Sequence, residues 1–286
     1  MAFTFSQLAQ DVWHSLGKIA PLENFLATGG STTTVVNGKV ADREEGEDDN
    51  YCVDYTAVVV RDAGGASAAP EGEMQRVYLY NSGTYTYTVD TAFSTDVASG
   101  DEIMLANADI PLREMYRAAN QALTKIGDIA LVDTSLTTAA DTTEYTLPVT
   151  LKRGDPYKVE VEVGDSDGWK VVSGAYVEPS LPGTTAILRL PQQDSGKTIR
   201  VVYSGEHPKL TAYSSTIAEV IHPDLMTAAT VAEALKWYLN SHGGGEDFDK
   251  QRYNEALQDY ETALMRHPVW KPHKAPKIFV TGMTWD

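Results

Sequence analysis

Six histidines, one cysteine and two carboxylate-rich loops are the residues of this chain with types and spacing suited to chemistry. The histidines are His14, His207, His222, His242, His267 and His273, and no two have the HExxH or CxxC…H separation that sets metal ligands on one face. His207 and His222 each precede a proline at a boundary in the sequence texture, which favours a turn or surface role. Asp42–Asn50 carries carboxylates at alternate positions but lacks the glycine placement and the closing glutamate of an EF-hand loop, so it reads as a solvated acidic loop. Asp165-Ser-Asp-Gly168 is better explained as a hairpin turn than as a calcium site. Gly243-Gly244-Gly245 precedes a helical stretch, yet Glu246, Asp247 and Asp249 follow at once and would repel a phosphate. There is no Walker A loop and no Gly-x-Ser-x-Gly elbow, and Cys52 has no neighbouring base. The expectation is no catalytic residues, no metal and no cofactor.

The elements that must position any site alternate in texture. Residues 4–17 read as an amphipathic helix: Thr4 or Ser6 caps it, Phe5, Leu8, Val12 and Leu16 recur at helical spacing, and Gly17 closes it. From Ala27 to Asn107 short β-prone runs (32–36, 51–60, 75–80, 84–89 and 102–105) alternate with Gly-, Ser- and Asp-rich loops, and Asn81-Ser82-Gly83 suits a hairpin. Helical spacing returns after Asp109 and Pro111, with Leu112, Met115, Ala119, Ala122, Leu123 and Ile126 on one face and Gly127 as the stop. A second β texture spans Glu144–Tyr203, where Val159, Val161 and Val163 alternate with Lys158 and Glu160 as in a sheet wet on one face. Asp224–Asn240 and Glu246–Met265 then form a helical hairpin, the second helix placing Phe248, Tyr253, Leu257, Tyr260 and Leu264 on one side.

This order predicts an α+β protein. Its expected fold is a discontinuous helical bundle core with two inserted antiparallel β modules and an extended C-terminal tail. The core would combine residues 1–26, 108–135 and 212–266, the inserted modules would be 27–107 and 140–210, and the C-terminal arm would be 267–286.

Composition narrows the function. In 286 residues the net charge is −17, which argues against a protein that wraps nucleic acid through a basic surface. A single cysteine excludes an intrachain disulfide and a multi-cysteine zinc site. No apolar run approaches the roughly 20 residues of a membrane span, and the start, Met-Ala-Phe-Thr-Phe, lacks the features of a signal peptide. Synthesis and retention in cytoplasm, or packing into a particle assembled there, is expected. Tyrosine is frequent at 15, and Tyr51, Tyr55, Tyr78, Tyr80, Tyr85 and Tyr87 gather in the first β stretch. They suit cross-strand packing, or a carbohydrate- or protein-binding face.

Three stretches resemble the head-to-tail adaptor (connector or neck) proteins of tailed bacteriophages. They are Pro111-Leu-Arg-Glu-Met-Tyr-Arg-Ala-Ala-Asn-Gln-Ala-Leu123, Lys197-Thr-Ile-Arg-Val-Val-Tyr-Ser-Gly-Glu-His-Pro-Lys-Leu210, and Ile221-His-Pro-Asp-Leu-Met-Thr-Ala-Ala-Thr-Val-Ala-Glu-Ala-Leu-Lys-Trp-Tyr-Leu239. Thr84-Tyr-Thr-Tyr-Thr-Val89 and Ser99-Gly-Asp-Glu-Ile103 are similar to β insertions of that group. The resemblance implies a non-enzymatic virion protein at the head–tail junction: a homo-oligomeric, commonly twelvefold ring between the portal protein and other neck or tail proteins. DNA would pass through without sequence-specific binding, and no membrane would be involved. It also implies that the tail residues Lys271, Lys274, Lys277, Ile278, Phe279 and Val280 form a portal-binding arm. Glu246, Asp247, Asp249, Glu255, Asp259 and Glu261 are then candidate channel-lining carboxylates. The competing expectation is a particle-surface module binding carbohydrate or receptor through the tyrosine-rich insertion.

Overall fold

The structure, a computed structural model, describes residues 3–19, 22–38, 49–65, 68–147, 156–164, 168–178, 186–242 and 247–270. Helix α1 (Phe5–Leu16) starts where the sequence predicts. Thr4 caps it in a capping box with Gln7, satisfying orphan donors at the first turn. Gly17 ends it at φ +59, a left-handed conformation that costs other residues more. Seven strands follow: β1 (Leu22–Leu26), β2 (Gly29–Ser31), β3 (Thr34–Val36), β4 (Thr56–Arg61), β5 (Met74–Asn81), β6 (Thr86–Val89) and β7 (Glu102–Ala106). They form one antiparallel sheet in the order β1-β7-β4-β5-β6-β3-β2. Helix α2 (Leu112–Ile126) runs from Pro111, whose carbonyl accepts from Met115 N at 3.0 Å, to Gly127 at φ +82.

Seven more strands come next: β8 (Ile129–Thr137), β9 (Glu144–Thr146), β10 (Lys158–Val163), β11 (Gly168–Val171), β12 (Tyr176–Glu178), β13 (Ile187–Arg189) and β14 (Thr198–Gly205). They make an antiparallel sheet β11-β10-β14-β8 and a smaller one, β12-β13-β9. Helices α3 (Pro223–Ser241) and α4 (Asp247–Arg266) complete the described elements.

Two compact units result. One comprises the chain through Ile126 together with His207–Val269, and the other contains Gly127–Glu206. In the first, Ile103, Leu105, Ala57 and Val59 pack with Val77, Tyr80 and Tyr87 on one face of the seven-stranded sheet. The alternate residues Thr56, Val58, Met104 and Ala106 are also buried, so this end of the sheet is covered on both faces. In the second unit both sheets contribute to one apolar cluster, with Val159, Val161, Ile199 and Val201 from one and Tyr145, Val177 and Leu188 from the other.

The expected helical bundle core is not found. Among the described residues the protein is mostly β, with 14 strands in three antiparallel sheets and four helices, 31% strand against 29% helix. The helices do pack on one another, α3 touching α1, α2 and α4, but their contact faces are poor in volume. Buried residues of α4 are Ala256 and Ala263, and α3 buries three alanines, Thr230 and Glu233 beside Leu225, Met226 and Leu235. Core volume comes largely from Trp13, Phe5 and Leu8 of α1 and from Tyr80, Tyr87, Ile103, Met104 and Leu105 of the sheet, all fully buried. The sheet of 27–107 therefore belongs to the same compact unit as the helices. Residues 129–135, which close the expected core segment 108–135, instead belong to strand β8, which pairs with β14 from Gly205↔Ile129 to Thr198↔Thr137. Val132 and Thr134 in that run are β-branched and fit a pleated surface better than a helix.

Two local expectations also change. Glu160, placed by alternation on a wet face, is 2% exposed. Its carboxylate takes Lys158 and Arg200, the latter through a 2.6 Å bond from Nε, and the Arg200 guanidinium lies 4.3 Å over the Trp169 ring. Burial pushes the Glu160 carboxyl up, and the hydrogen bonds and charges of Lys158 and Arg200 more than offset it, leaving it below the usual range. On α4, Phe248 and Leu264 are exposed rather than turned inward, because the close approach to α3 is made by the alanine side. No helix among the described residues is long and apolar enough to cross a membrane.

Candidate functional site

Helices α1, α3 and α4 line a groove of about 510 Å³ whose ionisable side chains are Asp11, His14, Asp224, Arg252, Glu255 and Asp259. Its position follows from helical spacing. Glu255 and Asp259 stand one turn apart beside the buried Ala256, and Arg252 precedes Glu255 by three residues, so all reach the same side of α4. Arg252 donates to the Ser15 carbonyl at the end of α1 (3.1 Å) and lies 3.4 Å from the Glu255 carboxylate. It ties α4 to α1 and neutralises one of the acids. Burial raises the Asp11 carboxyl above its ordinary value, with the Asp224 charge adding to the effect and His14 opposing it. The groove is thus an acidic cleft with one bound cationic side chain, suited to holding basic or metal-ion partners and unsuited to phosphate.

At the end of the hairpin where α3 begins and α4 stops, His222, Asp224 and His267 come together, each offering a ligand atom within 4.8 Å of the others. His222 is the N-cap of α3, its Nδ1 accepting from Asp224 N at 3.3 Å. His267 directly follows α4, its backbone N–H donating to the Ala263 carbonyl at 2.8 Å. Sequence spacing gives no sign of this group, since the antiparallel packing of α3 on α4 alone makes the two histidines neighbours.

The expected channel-lining carboxylates do not form one stripe. Asp247 and Glu261 are exposed, Asp247 lying 3.5 Å from Lys250, whereas Glu255 and Asp259 face the groove. Asp249 is half-buried. Glu246 and the expected arm residues Lys271, Lys274, Lys277, Ile278, Phe279 and Val280 lie outside the described residues. The acidic loop expected at 42–50 is described only at Asp49 and Asn50, where Asp49 accepts from the Ser82 backbone and hydroxyl at 2.8 and 2.9 Å.

The tyrosines divide by depth. Tyr80 and Tyr87 stack at 4.8 Å in the core, paired across β5 and β6, and Phe25 stacks on Tyr87 at 5.8 Å. Tyr51 and Tyr78 are exposed, and Tyr51 lies 6.2 Å from the Tyr55 ring. Desolvation is the main reason that the Tyr55 hydroxyl is held well above its ordinary pKa.

His207 is buried at the junction after β14. Its Nδ1 meets the Pro208 carbonyl at 2.6 Å and its Nε2 accepts from Ala218 N at 2.9 Å, which together define a neutral ring protonated on Nδ1. Burial lowers its pKa, the bond to Pro208 opposing. It is a structural clamp in a turn. Cys52 is buried in the sheet core, as its small apolar character suggests.

No protein-family model matches this sequence, and no curated protein matches it significantly.

Proposed function

We propose that this chain is a structural virion protein, the ring subunit of a head-to-tail adaptor that joins the portal of a tailed phage to its tail and forms part of the DNA channel. The observation that carries this reading is the surface of α4. One side rests on α3 through Ala256 and Ala263. The remainder leaves Phe248, Leu264 and Met265 exposed along with the acids Asp247 and Glu261. A mixed apolar and charged helix surface of this kind suits lateral contact with an identical neighbour. The net charge of −17 suits a wall that DNA slides past. Function then rests on binding: lateral ring closure, and insertion of the basic segment with Lys271, Lys274 and Lys277 into the portal.

The test is the mass of the assembly formed by the full chain with and without cognate portal rings. A ring of fixed stoichiometry on the portal supports the adaptor; a monomer that ignores portal rings overturns it. Reversing Lys271, Lys274 and Lys277 to Glu should abolish docking, and a reversed chain that still docks removes the arm from the reading.

A surface-binding role for the tyrosine-rich segment draws support from the exposed Tyr51 and Tyr78 alone, since Tyr80 and Tyr87 are committed to the core. Saturable binding of the intact chain to a glycan array, lost on replacing Tyr51 and Tyr78 with Ser, would favour it over the adaptor.

A further inference from the structure

We propose that His222, Asp224 and His267 form a binding site for a divalent transition-metal ion of the zinc and nickel class. The Asp224 Oδ2 atom lies 3.7 Å from His222 Nδ1 and 3.7 Å from His267 Nε2, so one carboxylate oxygen sits between two imidazole nitrogens. An ion at about 2.0–2.2 Å from each donor, in tetrahedral geometry, sets donor–donor separations of roughly 3.3–3.6 Å. Both carboxylate–imidazole edges are already close to that value.

The third edge requires one movement. The two rings are stacked in parallel, centroids 3.7 Å apart at 4°, whereas a metal lies near the plane of each ring that binds it. One ring must therefore turn out of the stack. His222 and His267 have side chains 47% and 29% exposed, so neither is locked by packing. The bond that His222 gives up as a cap is long, at 3.3 Å, and costs little to lose.

Two imidazoles and one carboxylate select the metal. Hard cations such as calcium and magnesium prefer six or more oxygen donors, which this trio does not offer. Borderline ions accept nitrogen with one oxygen, and three protein donors leave a fourth position for water or a partner's side chain. Asp224 also lines the acidic groove with Asp11, Glu255 and Asp259, whose charge raises the local cation concentration. A bound ion would fasten the start of α3 to the end of α4, fixing the point from which the chain continues at Pro268. The site lies within a single chain and is independent of the adaptor reading.

Calorimetric titration of the full-length, chelator-treated chain with Zn²⁺ tests the site, with Co²⁺ as a spectroscopic probe. The expected result is one saturable site per chain, a rise in unfolding temperature with Zn²⁺, and visible Co²⁺ bands of tetrahedral intensity. Asp224→Asn and His267→Gln should each weaken Zn²⁺ binding by at least roughly tenfold and abolish the bands. His242→Gln, at the other end of α3, should leave both unchanged. His222→Asn retains a capping side chain and should lose the metal while keeping the helical circular dichroism, which separates ligation from folding. Absence of a saturable site, equal binding of Mg²⁺, or binding that survives both Asp224→Asn and His267→Gln would overturn the proposal.

Discussion

Trp13 of α1 donates its indole N–H to the carbonyl of Ile110 at 3.2 Å, joining positions 97 residues apart in a fully buried contact. The bond anchors the first helix to the turn that launches α2, with the seven-stranded sheet between them in sequence.

Trp13→Phe should therefore lower stability by about 1–2 kcal/mol, because the Ile110 carbonyl stays buried without its donor. Trp13→Ala adds a cavity and should cost about 3–5 kcal/mol. Urea denaturation of both variants checks the pair, and a Trp13→Phe variant as stable as wild type would mean that the hydrogen bond contributes nothing.

Asn120 of α2 acts as a double clip, its Oδ1 accepting from Leu210 N at 2.9 Å and its Nδ2 donating to Leu210 O at 3.0 Å. Asn120→Ala orphans both backbone groups of a buried residue and should cost about 2–3 kcal/mol. Asn120→Asp keeps the acceptor but loses the donor, and should fall between wild type and alanine in chemical denaturation.

Glu233, 3% exposed on α3, is paired with Lys125 of α2, and Lys236 stands 3.9 Å away. Lys125→Met should destabilise by about 2 kcal/mol, less than for a fully buried pair because Lys125 is 39% exposed. Adding Glu233→Gln should recover most of that loss. A double-mutant cycle measures the coupling, and additive losses would show that the two side chains act separately.

His207 makes stability pH-dependent. Its folded pKa lies below the ordinary 6.5 because burial disfavours the charged ring. The unfolded chain therefore takes up the proton first as pH falls, and stability present above about 6.5 declines toward the lowered folded value. His207→Gln should flatten the dependence of unfolding temperature on pH across this window, while lowering stability at pH 8 through the altered clamp on Pro208 and Ala218. Calorimetry at several pH values reads both effects, and an unchanged slope would remove His207 as the titrating group.

Much of the secondary structure was legible from local chemistry. Thr4 and Gly17 bound α1, Gly127 stops α2 at positive φ, and β5, β6 and β7 overlap the β-prone runs 75–80, 84–89 and 102–105. β1 and β2 escaped detection: β1 is a five-residue run holding Glu23 and Asn24, β2 is Gly-Gly-Ser, and both are extended by pairing with β7 and β3. β8 was hidden for the same reason, its identity set by β14. Of the site, the acids of α4 were visible one by one, but not their division between groove and solvent.

The sequence by itself determined where helices begin and end, the acidic character, and the lack of any contiguous catalytic or metal motif, because caps, periodicity and charge act within a few residues. Only tertiary structure decided that the sheets share the core volume with the helices, Tyr80, Tyr87 and Ile103 being buried as fully as Trp13, Phe5 and Leu8, since that depends on which faces meet and how large their side chains are. It alone set Glu160 and Glu233 inside with their cationic partners, and it alone brought His267 onto His222 and Asp224. His222 and His267 are far apart along the chain, and the packing of α3 against α4 is what closes the distance.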